Sequence, residues 1–183
     1  ESQAQWGIVR AALQLVAACE DADNNLPGNI GNLDALIGHY TISLREIDRL
    51  QREFEQAIGE YISIEPVVDH VAEHARQRYA KMAEKVQVIF IKLLENEGWP
   101  PQSMLANGDL FDTLVEPLLA ERTKRVAYIH VDALRYELGH ELQRQLIDMG
   151  TATIQPSIAQ LPTVTPIGMA SLLPSAGKKL EIL

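Results

Sequence analysis

The most constraining feature of this sequence is a change of period at Val126. Residues 126–131, Val-Ala-Tyr-Ile-His-Val, form a short run rich in β-branched and aromatic side chains, the composition of a central strand. Asp132 follows at once. Leu134, Leu138, Leu142 and Leu146 then recur every four residues, and Met149-Gly150 closes the helix they describe. Residues 151–159 favour extended structure, although Pro156 demotes part of them to an edge or an irregular path. Leu161-Pro162-Thr163-Val164-Thr165-Pro166 leads into another helix, because proline is favoured in a first helical turn. Strand, helix, strand, helix is the opening of an α/β sheet. The expected fold class is therefore α/β, with a helical region over residues 1–125 and the first strands and helices of a sheet over residues 126–183.

Upstream, the apolar spacing is helical. Residues 4–20 carry apolar positions around the whole helix circumference, and the turn-rich segment Asp-Asn-Asn-Leu-Pro-Gly-Asn follows. A short helix is expected over residues 33–40. Ser43, with Glu46 three residues on, has the spacing of a capping box for a helix carrying Leu44, Ile47, Leu50, Phe54, Ile58 and Tyr61. Glu65-Pro66 opens the longest helix. Its stripe of Val67, Val71, Ala75, Tyr79, Met82, Val86, Ile89 and Leu93 gives a rod of roughly 45–50 Å. These helices read as a hairpin or bundle. A partner-docking coiled coil, self-association into a homo-oligomer included, is the second reading of that stripe. A further helix is expected over residues 109–121, kinked or divided at Pro117. Arg122 to Arg125 make a charged linker.

Charge and cysteine usage narrow the function classes. The formal charge of the 183 residues is −9. Residues 126–183 hold four basic and five acidic residues; residues 1–125 hold twelve and twenty. A broad nucleic-acid face is excluded from the helical part, because phosphate neutralisation needs clustered Lys and Arg. Cys19, the single cysteine, cannot form an internal disulfide and fits a reducing, cytoplasmic setting. No apolar run reaches membrane-spanning length, so no membrane association is expected. The start, Glu1-Ser2-Gln3, has neither an initiator Met nor a basic segment before an apolar one and reads as a cut within a longer protein. The last residues, Gly-Lys-Lys-Leu-Glu-Ile-Leu, read as the beginning of a strand.

The chemistry concentrates at Asp132 and Thr165. Asp132 ends a strand, where open α/β sheets place their ligands. Its plainer reading is a helix N-cap, and Thr165 faces the same choice. A threonine hydroxyl is a weak nucleophile unless a base or a metal activates it, and a helix start also favours negative charge. A divalent metal held by Asp132 would lower the hydroxyl pKa and polarise a phosphorus or sulfur ester. Other candidates carry less. His70-Val71-Ala72-Glu73-His74 matches an inverted zinc-peptidase pattern but has no identifiable third ligand and reads as a surface histidine pair. His130 reads as a packed histidine within the strand. Arg135 and Tyr136 are placed to face a substrate phosphate, and helix packing explains Tyr136 equally well.

Val-Asp-Ala-Leu-Arg-Tyr-Glu followed by Leu-Pro-Thr-Val-Thr-Pro-Ile-Gly-Met-Ala-Ser-Leu-Leu-Pro resembles the PglZ family of the alkaline phosphatase superfamily, associated with bacterial phage-resistance systems of the BREX type. The resemblance covers about fifty residues. It implies a metal-binding aspartate at Asp132 and a metal-bound nucleophile at Thr165, with Thr163 as the alternative. The related nucleotide pyrophosphatase motif, with its nucleophile at the second threonine of Pro-Thr-x-Thr, favours Thr165. The activity implied is metal-dependent hydrolysis of a phosphate ester or phosphodiester in the intact protein, with zinc as the expected metal. Nucleic acid or another phosphate ester is the implied substrate, and other defence-system proteins are the implied partners. A non-catalytic scaffold for such a complex is the competing class. The superfamily's two-metal site also needs Asp and His ligands after the nucleophile. Among the 18 residues after Thr165 there is neither. No competent metal pair, and no activity, is expected of these residues alone.

Overall fold

The computed structural model describes residues 2–26, 30–60, 66–101, 103–121 and 125–179. Tyr61, Glu65, most of the charged linker and residues 180–183, on which some sequence expectations fall, lie outside them. The chain divides into two compact units, Glu1–Glu97 and Gly98–Leu183. The division falls upstream of the expected domain boundary at Arg125.

The first unit is a helical bundle. Helix α1 (Ser2–Asn25) packs against both α3 (Arg45–Gly59) and α4 (Pro66–Glu97). Its inward stripe is Ile8, Ala12, Leu15 and Cys19, at the three- and four-residue steps that keep one face of a helix in register. Trp6 and Leu13 are exposed, so the helix buries one face and not its whole circumference. Leu44, Ile47 and Phe54 meet that stripe from one side, and Val68, Ala72, Ala75 and Met82 from the other. From Ala75 on, the expected stripe of α4 is the buried one, with Met82 and Leu93 buried and Tyr79 and Val86 packed against the core. In the first turns the most buried positions, Val68 and Ala72, stand one residue later than the spacing suggests. Val67 is 73% exposed and Val68 only 6%. Proline at the start of α4 fixes where the helix begins, but neighbouring helices choose the face that is buried.

Helix α2 (Leu33–His39) runs into α3 without a break, through a π-helical turn at Tyr40–Leu44. Ser43 lies inside that turn and caps nothing, so the expected capping box is not formed. The observed cap is Asn32, whose Oδ1 accepts from Ala35 N at 2.8 Å. The Glu97 carboxylate, from the far end of α4, accepts from Leu33 N at 3.1 Å. Asp48 accepts hydrogen bonds from Tyr40 (2.6 Å) and Tyr79 (2.9 Å), and Arg76 forms a two-pronged pair with Glu55 at 2.8 and 2.9 Å. These polar contacts join α3 to α4 at the edge of the apolar core.

The second unit corrects the expected fold class. Among its described residues there is no strand, and so no α/β sheet. The β pairing consists of one isolated parallel bridge, Ala106 to Ile158. Residues 126–131 are extended, with Tyr128 and His130 partly covered while Ile129 and Val131 are exposed. This is the two-residue alternation of a strand without a partner. Strand propensity reflects fitness for a paired, half-buried surface, and without a neighbouring ladder it yields only extended chain. Residues 151–157 are extended in the same unpaired way.

Helices fill the rest. Helix α5 (Asn107–Leu110), a π-helical turn (Phe111–Val115) and α6 (Glu116–Ala120) run continuously. The wide turn stands just before Pro117, which cannot donate to the carbonyl four residues back. Helix α7 (Tyr136–Leu146) starts later than the leucine spacing suggests, and Leu134, Leu142 and Leu146 are exposed. Helix α8 spans Thr165–Ser171. Helix α9 (Ala176–Lys179) lies where the start of a strand was expected. It crosses α5 at two glycines; a Cβ on Gly177 would stand 2.4 Å from Asp109 Oδ1.

Two measurements check the bundle. Burial pushes the Cys19 thiol up to about 11, despite the opposing charge of Arg78. Reaction with a disulfide reagent at pH 8 is therefore expected to be roughly a hundredfold slower in the folded chain than in urea, since only thiolate reacts. Comparable rates would place Cys19 outside the core. The hydrogen bond from Arg76 holds the Glu55 carboxyl below its ordinary value, against the opposing effect of desolvation. Its contribution is complete above the unfolded-state pKa and is lost as pH falls through the folded-state pKa. The pair is more than a third exposed, so Arg76→Gln is expected to cost about 0.5 kcal/mol at pH 7 and nothing measurable at pH 2 in urea unfolding.

Candidate functional site

One cleft in the second unit gathers the chemistry singled out in the sequence. It has a volume of about 450 Å³ and is lined by Asp132, Arg135, Tyr136, Thr163 and Thr165 among others. Its back wall depends on the parallel bridge. Asn107 N donates to Ile158 O at 2.9 Å and Ile158 N to Leu105 O at 2.8 Å, which pins the extended segment 151–158 beside the start of α5. Ile158 is buried there. Ser157 Oγ donates to Asn107 Oδ1 at 2.7 Å, and Trp99 Nε1 donates to Ala159 O at 2.9 Å. The chain then turns through a cis Leu161–Pro162 bond to Thr163 and Thr165.

On the other side, residues 126–131 carry Asp132 to the cleft. Tyr128 anchors them: its hydroxyl donates to Leu172 O at 3.0 Å, and its ring meets Phe111 and His130 edge-on. After Asp132 the backbone bends sharply. Ala133 has φ of 54°, a left-handed conformation that costs an L residue roughly 1–2 kcal/mol. Asp132 Oδ1 accepts from Ala133 N at 2.9 Å.

The two plain explanations fail here. Asp132 does not cap the following helix: α7 begins at Tyr136, and its N-cap position is Arg135. Thr165 does not cap α8: it is the first helical residue, Val164 precedes it as the N-cap residue, and no side chain caps that end. Instead Thr165 Oγ1 donates to Asp132 Oδ2 at 3.1 Å, across 33 residues of sequence. Thr163 lines the same cleft, while this hydrogen bond to Asp132 belongs to Thr165.

As metal donors, these are two hard oxygens of the kind that hold a divalent cation. Two are too few. Among the described residues no group of three His, Cys, Asp or Glu stands close enough to hold a metal ion. The described residues therefore do not fit a complete zinc centre. His70 and His74 are exposed on α4, and His130 stacks edge-on with Tyr128.

Sequence reasoning missed three contributors. Asn107 and Ser157 enter the cleft because of the bridge, which no local spacing signals. Glu137 is 2% exposed and pairs with Arg135 at 2.8 Å. Its i+2 spacing from Arg135 was visible, but its burial was not.

The strain at Ala133 is open to a direct check. Ala133→Gly removes the Cβ conflict and is expected to stabilise the second unit by about 1 kcal/mol in urea unfolding. Destabilisation would show that the alanine methyl contributes packing that outweighs the strain.

Comparison with known proteins finds a similarity over the region of the cleft. Residues 110–182 match the family model for PglZ, the BREX system PglZ alkaline phosphatase-like domain. Over 81 residues the chain is 35% identical to the alkaline phosphatase-like protein BrxZ of Escherichia coli O9:H4 (strain HS). The match covers 43% of this chain and 9% of that protein, so the chain spans a small part of its relative's length. No solved structure matches significantly. Both Asp132 and Thr165 lie within the residues that match the PglZ alkaline phosphatase-like domain, so it is this part of the chain that resembles that family.

Proposed function

We propose that residues 110–182 supply the nucleophile and its carboxylate partner to a phosphate-ester hydrolysing site in a PglZ protein of a BREX phage-defence system. The observation that carries this reading is the hydrogen bond from Thr165 Oγ1 to Asp132 Oδ2, made by two residues that cap no helix. Thr165 Oγ would attack phosphorus as its proton moves toward Asp132. The P–Oγ bond forms, the bond to the leaving oxygen breaks, and water later releases the phosphoryl group from Thr165. Zinc or another divalent cation enters this reading only with ligands beyond the described residues. Nucleic acid is the proposed ester, and other defence proteins are the proposed partners.

A scaffold role is the second reading. It is favoured by the apolar side chains left exposed in the second unit, Ile129, Ile147 and Met149 among them.

Hydrolysis of bis-(p-nitrophenyl) phosphate with added zinc or manganese separates the two. The 183-residue chain is expected to show negligible turnover. A longer protein containing it is expected to be active, with Thr165→Ala lowering the rate by roughly a thousandfold or more. Unchanged activity in Thr165→Ala would remove Thr165 from the chemistry, and inactivity of the longer protein with metal supplied would favour the scaffold.

A further inference from the structure

We infer that Arg135 is the oxyanion-binding residue of this cleft and that Glu137 holds it in position, so that the cleft takes tetrahedral phosphoryl or phosphonyl groups. The inference rests on the cleft being the ester site proposed above.

Arg135 occupies the N-cap position of α7, where an arginine is a poor choice twice over. It has no acceptor to satisfy the helix N–H groups, and its charge opposes the positive end of the helix dipole. Helix formation alone therefore does not account for it. Two residues on, Glu137 is buried to 2% exposure. A glutamate in a first helical turn serves the dipole equally well from the surface, whereas a buried carboxylate must be paired to be tolerated. Arg135 forms an ion pair with it: Nη2 lies 2.8 Å from Glu137 Oε1, with the Arg135 side chain 55% exposed and that of Glu137 1% exposed. The contact is an ion pair without hydrogen-bond alignment, and it draws one edge of the guanidinium toward the buried carboxylate.

That edge accounts for one of three nitrogens. The remaining N–H donors form a planar fork, the arrangement that matches two non-bridging oxygens of a phosphoryl group. Arg135 borders the cleft that also contains Asp132 and Thr165, and among the described lining residues it is the one Lys or Arg. A phosphoryl group approaching Thr165 meets the Asp132 carboxylate, which repels it, so affinity must come from a cation. Arg135 supplies it.

The test uses phenylphosphonate, which has a tetrahedral oxyanion and no hydrolysable ester, titrated into the 183-residue chain with the arginine Nε–Hε resonances followed by NMR. The Arg135 resonance is expected to shift saturably. Arg135→Gln should weaken binding at least about tenfold, and Arg135→Lys, which keeps charge without the fork, should weaken it by roughly threefold. Arg135→Gln removes the Arg135 charge from beside buried Glu137, so the double variant Arg135→Gln/Glu137→Gln, neutral at both positions, is measured beside it and should lose binding equally. Arg144→Gln, on the exposed part of α7, should bind as the parent does. No binding by the parent chain, or parental affinity in the double variant, would overturn the inference. Thr165→Ala separates the two readings. Intact hydrolysis in the longer Thr165→Ala protein, alongside Arg135-dependent phosphonate binding, would sink the catalytic reading and leave anion binding standing.

Discussion

The second unit depends on a pair of backbone hydrogen bonds, Asn107 N to Ile158 O and Ile158 N to Leu105 O. They seat a buried isoleucine and bring the end of an extended segment to the start of α5. From that point Ser157 reaches Asn107, Trp99 reaches Ala159, and the chain is delivered to Thr165. Among the described residues nothing comparable pairs the backbone of residues 126–131, which are held through Tyr128 and its contacts with Phe111, His130 and Leu172. The cleft is thus built from one paired segment and one anchored by a side chain, and Asp132 and Thr165 meet between them.

What the residues revealed beforehand follows from how local each signal is. Helix periodicity is local, so the rod at Pro66–Glu97 and the stripe through Leu44, Ile47 and Phe54 were readable in advance. Which side of a helix is covered is not local: Val68 replaced Val67 at the interface because α1 selects the face. The capping box at Ser43 failed because the chain is already helical when it arrives, through the π turn at Tyr40–Leu44. The sheet failed for a related reason. The alternation of residues 126–131 is present, but a strand needs a second backbone, and none pairs with it among the described residues.

The site was legible in part. A hard carboxylate and a hydroxyl in matching motifs were enough to nominate Asp132 and Thr165. The choice between capping and chemistry needed coordinates. Each cap was plausible by position, yet each helix starts where the side chain cannot cap it, and the two side chains bond to each other. Glu137 and Asn107 escaped notice because their roles come from burial and from a contact across 50 residues, neither of which leaves a spacing pattern. The similarity to PglZ bears on this region directly, since the match covers residues 110–182 and therefore the whole Asp132–Thr165 pair.

The pairing of these two side chains is the central claim, and a double-mutant cycle measures it without requiring any catalysis. Urea unfolding of the parent chain, Asp132→Ala, Thr165→Val and the double variant isolates the interaction between them. A coupling of about 0.5–1 kcal/mol, in the range of a hydrogen bond to a charged group at an exposed position, is expected. Additivity of the two single effects would mean that Thr165 and Asp132 act independently, and the site described here would not exist in the folded chain.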